Sequence, residues 1–198
     1  MEYKQDGRIK GWTVADGSLQ KDMYEKSQTA SPTISTDALL ISLIVDAHEQ
    51  RDVAVADVVA AYLKADMTDY TLLKFMGESV DIMCKMNSKY EEYVTMESGE
   101  KVLYVQLLKA LYGCVVSALL WYELFSGHMK EMGFEINPYD SCIANKLINR
   151  KQCTIAWYVD DMKISHVNKD VVTQIIQELE KKFEKMSVTR VVSTSFWE

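Results

Sequence analysis

Residues 155–164 read Ile-Ala-Trp-Tyr-Val-Asp-Asp-Met-Lys-Ile, two short strand-like runs joined through the carboxylate pair Asp160-Asp161. The pattern is a β-hairpin with acids at its tip. Adjacent like charges repel, and Asp-Asp lacks the glycine that lets a two-residue turn take positive φ without strain. A divalent cation would remove the repulsion; taken alone, the pair reads more plainly as a solvated polar turn.

Working outward, residues 53–63 read Val-Ala-Val-Ala-Asp-Val-Val-Ala-Ala-Tyr-Leu, a β-rich run with a single charge, Asp57, in its middle and Tyr62 five residues further on. A charge in a packed sheet is costly unless a metal or another cation pairs with it. The chain therefore carries two acid-bearing strand segments, each asking for positive charge.

Together, Tyr158-Val159-Asp160-Asp161 and the Asp57/Tyr62 spacing resemble the two catalytic motifs of reverse transcriptases. Further words extend the likeness: Lys-Gly-Trp-Thr-Val-Ala-Asp-Gly at 10–17, Ser-Pro-Thr at 31–33, Lys-Ala-Leu-Tyr-Gly at 109–113 and Trp-Tyr-Glu at 121–123. They fall in the order of the copia-type retrotransposon branch, over residues 8–190.

The resemblance implies RNA-directed DNA polymerisation by two-metal nucleotidyl transfer. Asp57, Asp160 and Asp161 would be the catalytic carboxylates. They would hold two Mg²⁺ or Mn²⁺ ions with the backbone carbonyl of Val58. Oxygen ligands suit Mg²⁺, and two cations roughly 4 Å apart stabilise the entering and leaving oxygens of an in-line displacement. Tyr62 would lie beneath the incoming sugar and exclude a 2′ hydroxyl; from the residues alone it reads equally as a core tyrosine at a strand end. Lys10, Tyr112, Gly113 and Tyr158 would complete the nucleotide pocket, although a lone Lys10 in a polar segment also reads as simply solvated. The implied partners are an RNA template, a DNA primer, deoxynucleoside triphosphates, and integrase and ribonuclease H domains of a longer polyprotein.

At 198 residues and 48% hydrophobic content the chain is long enough for one domain or two small lobes with a real core. No apolar run is long enough for a membrane span and the N-terminus has no signal-peptide pattern, which places the expected setting inside the cell, in the cytoplasm or a virus-like particle. Cys84, Cys114, Cys142 and Cys153 lack paired spacing and read as core residues rather than zinc ligands or disulfide partners. The net charge of −7 opposes a stand-alone nucleic-acid-binding module, which would need a basic surface.

Periodicity predicts a helix from Thr36, with Thr36 as its cap and Leu39, Leu40, Leu43, Ile44 and Ala47 as a core-facing stripe. The stretch 64–112 reads as irregular, with a strand at 70–76 and a turn at Ser98-Gly99. A helix follows over 117–132, then strands at 142–148, 152–159 and 162–167. An Asn168-capped helix carries Val172, Ile175, Ile176, Leu179 and Phe183, and a last strand runs over 188–192. Leaving out 64–112, the order is strand, helix, strand, strand, helix, strand, an α+β class with a split β-α-β antiparallel sheet. By resemblance this is a polymerase palm, about 51–63 and 113–192, with fingers at about 1–50 and 64–112.

Three departures from the family pattern bear on activity. Trp12 stands where the family carries Arg, which grips phosphate with a planar fork of donors. Val115-Val116 replace the usual Lys-Gln after Gly113. Beyond Arg190 the text ends at Glu198 without the family's Leu-Gly-containing hairpin, so thumb and primer grip are expected to be absent. The competing expectation is a truncated, inactive remnant that keeps the palm fold and acts at most as a metal- or partner-binding module.

Overall fold

The computed structural model describes residues 2–3, 9–10 and 14–191, with side chains over 14–190. Two short strands, β1 (Glu2–Tyr3) and β2 (Ile9–Lys10), pair antiparallel. Then come α1 (Thr36–His48), β3 (Asp52–Asp57) and a 3-10 helix, Ala61–Lys64. The insertion holds β4 (Asp66–Met76), α2 (Glu78–Met86), β5 (Thr95–Glu97) and β6 (Glu100–Lys109). The remainder is α3 (Ser117–Glu131), β7 (Glu135–Ile136), β8 (Ile143–Ile148), β9 (Lys151–Tyr158), β10 (Asp161–His166), α4 (Lys169–Phe183) and β11 (Ser187–Val191).

The main sheet is antiparallel with strand order β11-β3-β10-β9-β8-β7. Its first four strands, joined through α3 and α4, have the split β-α-β connectivity expected from the sequence. That order places β3 beside β10, so two acid-bearing segments far apart in sequence become neighbours.

Alternation along the strands decides which face each side chain takes. Ala54 and Ala56 of β3, Ile155 and Trp157 of β9 and Met162 and Ile164 of β10 point into one core, closed by Trp121, Phe125 and Met129 of α3 and Val172, Ile175, Leu179 and Phe183 of α4. Each of these large side chains contributes about 1.5–3 kcal/mol by leaving water. The α4 stripe matches its sequence pattern, and the Asn168 side chain accepts from the Asp170 N–H at the helix start. Cys114, Cys142 and Cys153 are buried free thiols, and burial pushes Cys142 and Cys153 up to about 12.

The opposite face carries α1, and here most of the expected stripe turns outward, with only Leu39 half-buried beside Val55 and Ala156 of the sheet. Leu40, Leu43 and Ile44 are exposed by 52%, 43% and 67%, Ala47 is exposed as well, and Ser42 and Asp46 face the sheet. The cause is a buried ionic seat. Asp46 pairs with Lys163 of β10, and Arg51 donates to Thr154 Oγ1 of β9 at 3.0 Å while lying 3.8 Å from Asp46. A buried charge must be paired, so the polar side of α1 is drawn inward. The cap is Ser35, one residue before the expected Thr36, with its side chain accepting from the Ala38 N–H at 3.2 Å.

The insertion is more regular than its composition suggested. Its strands form a second antiparallel sheet, β4-β6-β5, whose β5–β6 turn uses Ser98 and Gly99 at φ 51° and 87°. The helix α2 was not anticipated, being short and introduced by Gly77 at φ 57° rather than by a side-chain cap.

Candidate functional site

The acidic hairpin tip is built one residue earlier than the sequence suggested. Tyr158 pairs with Asp161, so the two-residue turn is Val159-Asp160 and Asp161 opens β10. Val159 takes the positive φ, 57°, that such a turn demands at its first central position. A left-handed conformation costs a residue with a Cβ roughly 1–2 kcal/mol, and branching at Cβ makes Val a poor choice for it. Two hydrogen bonds hold the turn: the Trp121 indole N–H donates to the Val159 carbonyl at 2.7 Å, and the Val58 N–H donates to the Asp160 carbonyl at 3.3 Å.

Asp57 is the last residue of β3, not the middle of a strand. It stands directly opposite Asp161 in the antiparallel register, which sends both side chains to the face away from the α3–α4 core. Val58 is fully buried. After Val59 the chain reverses through Ala60, at φ 56°, into the 3-10 helix, which brings Tyr62 back beside the strand end.

Tyr62 and Tyr112 stack with ring centroids 4.2 Å apart and planes 33° from parallel. The Tyr112 hydroxyl donates to Asp160 Oδ2 at 3.3 Å. Burial first, then the Asp160 carboxylate, push the Tyr112 phenol up to about 12; Tyr62 is raised by burial and by Asp160 and Tyr158. Tyr158, 57% exposed, borders Asp161 on the open face.

Gly113 has a structural reason to be glycine. Its φ is +95°, and a Cβ there would overlap the Ala15 carbonyl oxygen. The Ala15 N–H donates to the Tyr112 carbonyl at 2.7 Å, so residues 14–17 lie directly over the Tyr112-Gly113 bend. Lys10 belongs to β2, but its side chain lies outside the described residues, as does the whole of Trp12.

The structure thus brings together Asp57, Val58, Tyr62, Tyr112, Gly113, Tyr158, Asp160 and Asp161. The donor set is right in kind for Mg²⁺, being carboxylate and carbonyl oxygen. The opposed carboxylates of Asp57 and Asp161 put two like charges across one register pair, an arrangement that added positive charge would favour. Among the described residues, however, no three His, Cys, Asp or Glu side chains converge closely enough to hold an ion as they stand, and Asp160 is engaged by the Tyr112 hydroxyl. Sequence reasoning missed that bond and the Trp121 anchor. The Trp-Tyr-Glu word pointed to the right residue without revealing what its indole N–H touches.

An antiparallel split β-α-β sheet presents acids from a strand end and from the adjoining hairpin, an α+β arrangement consistent with the sequence likeness. The chain belongs to the family described as reverse transcriptase (RNA-dependent DNA polymerase), whose model matches residues 1–196. Among curated proteins it is similar to the Ty1-BL, Ty1-MR1 and Ty1-DR5 transposon Gag-Pol polyproteins of Saccharomyces cerevisiae, each 27% identical over 185 residues. Those alignments cover 91% of this chain and 9% of each polyprotein. The likeness is that of a copia-type retrotransposon reverse transcriptase domain.

Proposed function

We propose that this domain performs RNA-directed DNA polymerisation at the Asp57/Asp160/Asp161 cluster, with deoxynucleoside triphosphates, an RNA template and a DNA primer as substrates. The observation that carries the reading is the register pairing of Asp57 with Asp161, with Asp160 in the adjoining turn. The six-stranded sheet with α3 and α4 is read as the palm; residues 1–50 and the 64–112 insertion are read as fingers. Polyprotein domains such as integrase and ribonuclease H are further proposed partners, and the site of action is read as the cytoplasm or a virus-like particle. Among the described residues no helix is long and apolar enough to cross a membrane.

In this reading Asp57, Asp160, Asp161 and the Val58 carbonyl hold the Mg²⁺ or Mn²⁺ ions, which supply Lewis-acid stabilisation of the entering and leaving oxygens. The Asp160 carboxylate exchanges the Tyr112 hydroxyl for that role. Tyr62, stacked on Tyr112, forms the floor beneath the sugar and leaves no room for a 2′ hydroxyl. Tyr158 borders the carboxylates on the open face. Val58 and Trp121 keep the acidic turn in place through its two carbonyls.

The test is extension of a DNA primer on an RNA template in Mg²⁺ by this chain, its Asp160→Asn variant and its Tyr62→Ala variant. Weak, metal-dependent extension is expected, abolished by Asp160→Asn, with ribonucleotide incorporation rising in Tyr62→Ala. Extension that survives Asp160→Asn, or sugar selection left unchanged by Tyr62→Ala, refutes the assignment.

A further inference from the structure

We propose that Trp121 is a positioning residue: its indole N–H fixes the peptide between Val159 and Asp160, and with it the direction in which Asp160 presents its carboxylate. The proposal rests on reading the hairpin as the nucleotidyl-transfer site, but its geometric part stands by itself.

In a two-residue turn the alternative classes differ by rotation of the central peptide, here the one contributed by the Val159 carbonyl and the Asp160 N–H. Val159 sits at φ 57°, which a β-branched residue does not choose unaided. Something outside the hairpin must therefore hold that peptide. The indole of Trp121 does so at 2.7 Å, from α3 on the far side of the sheet from Asp57 and Asp161.

The tryptophan is a firm anchor. It is 1% exposed and wedged against Phe125 and Phe183, with ring centroids 5.5 and 5.3 Å away. A hydrogen bond is not simply what any indole in this core makes, since Trp157 Nε1 is buried with no hydrogen-bond partner among the described residues. The Asp160 carbonyl is held separately by the Val58 N–H. Both carbonyls of the turn are thus fixed by fold residues, Trp121 from α3 and Val58 from just beyond β3, while the Asp160 carboxylate is met by the Tyr112 hydroxyl.

The role predicts a dependence that packing does not. If Trp121 acts by holding a turn that valine resists, then glycine at 159, which takes positive φ without penalty, removes the need for it. The experiment compares the full chain carrying Trp121→Phe, Trp121 replaced by β-(3-benzothienyl)alanine, Val159→Gly, and each of the two Trp121 changes combined with Val159→Gly. The benzothienyl ring keeps the bicyclic shape without the N–H and so remains informative where Trp121→Phe disturbs the core. Readouts are the amide NMR signals of Asp160 and Asp161 and the affinity for Mn²⁺ alone.

Loss of the N–H is expected to move both amide signals and to weaken Mn²⁺ binding about tenfold, the equivalent of one hydrogen bond. In the Val159→Gly background the same change is expected to move neither. Unmoved Asp160 and Asp161 signals in the folded benzothienylalanine chain overturn the proposal, as does a loss of equal size in both backgrounds, which would mean that Trp121 acts through packing. If the unsubstituted chain binds no Mn²⁺, the metal-site reading fails and the amide signals alone decide the role of Trp121.

Discussion

Replacing Lys163 by Met removes one half of the buried ion pair that seats α1 on the sheet, and the structure sets the size of the effect. Lys163 and Asp46 side chains are 8% and 5% exposed, so neither charge is dissolved by water once its partner is gone. Truncating one member of such a pair costs about 3–5 kcal/mol. Lys163→Met belongs near the lower end, because Arg51 lies 3.8 Å from Asp46 and retains part of the compensation. Asp46→Leu belongs near the upper end, since it strips a partner from both Lys163 and Arg51. In a chain of this size about 3 kcal/mol lowers the melting temperature by roughly 6–12 °C. The double variant Asp46→Leu/Lys163→Met leaves Arg51 its contacts to Glu49, at 2.9 Å, and Thr154, and joins two apolar side chains across the same gap. Its loss should fall well short of the sum of the singles. Urea unfolding at neutral pH, monitored by tryptophan fluorescence and by circular dichroism, measures all four chains. A cost below about 1 kcal/mol for Lys163→Met, or strict additivity in the double, would mean that the pair is effectively solvated and does not hold α1.

Two further outcomes follow from the site. Because the Tyr112 phenol is raised to about 12 in the folded chain, its contribution to stability is complete below the ordinary tyrosine value near 10 and is lost as pH rises toward 12; Tyr112→Phe should flatten that part of the stability–pH curve. Comparison with the unsubstituted chain cancels the buried Cys142 and Cys153, which titrate in the same range, and an unchanged slope in the variant would show that Tyr112 is not the group responsible. Gly113→Ala should destabilise the chain by about 1–3 kcal/mol, since a Cβ there meets the Ala15 carbonyl in a positive-φ conformation, and hydrogen exchange at the Ala15 amide should rise; wild-type protection would contradict the close approach.

Much of the fold was legible because local patterns and global packing agree. The α4 stripe and the Asn168 cap each had one consistent reading, and the split β-α-β element order read from the sequence is the one observed in the main sheet. The carboxylate pairing was legible only in part. Motif order placed Asp57 and Asp160-Asp161 in one site, but the register that opposes Asp57 to Asp161, rather than to Asp160, depends on the turn falling at Val159. Nothing in the local sequence marks Val159 as a left-handed residue. The cause lies 38 positions upstream, in an indole N–H.

The failure at α1 has the same physical origin. Its apolar residues outnumber its polar ones, so a period-based reading turns the apolar stripe inward; the energetics are decided instead by one aspartate whose partner, Lys163, lies 117 residues away. A charge that must be paired outweighs several leucines that are merely better off buried. Lys163 is two residues beyond Asp161 on β10, and its side chain shares the face on which Asp161 opposes Asp57. Local preference is therefore overridden on both flanks of the carboxylates, by a strained valine held from α3 and by a buried lysine held from α1. Natural sequences keep such conflicts where geometry outweighs local preference, and here both act on β10 and its turn, the segment that carries Asp160 and Asp161.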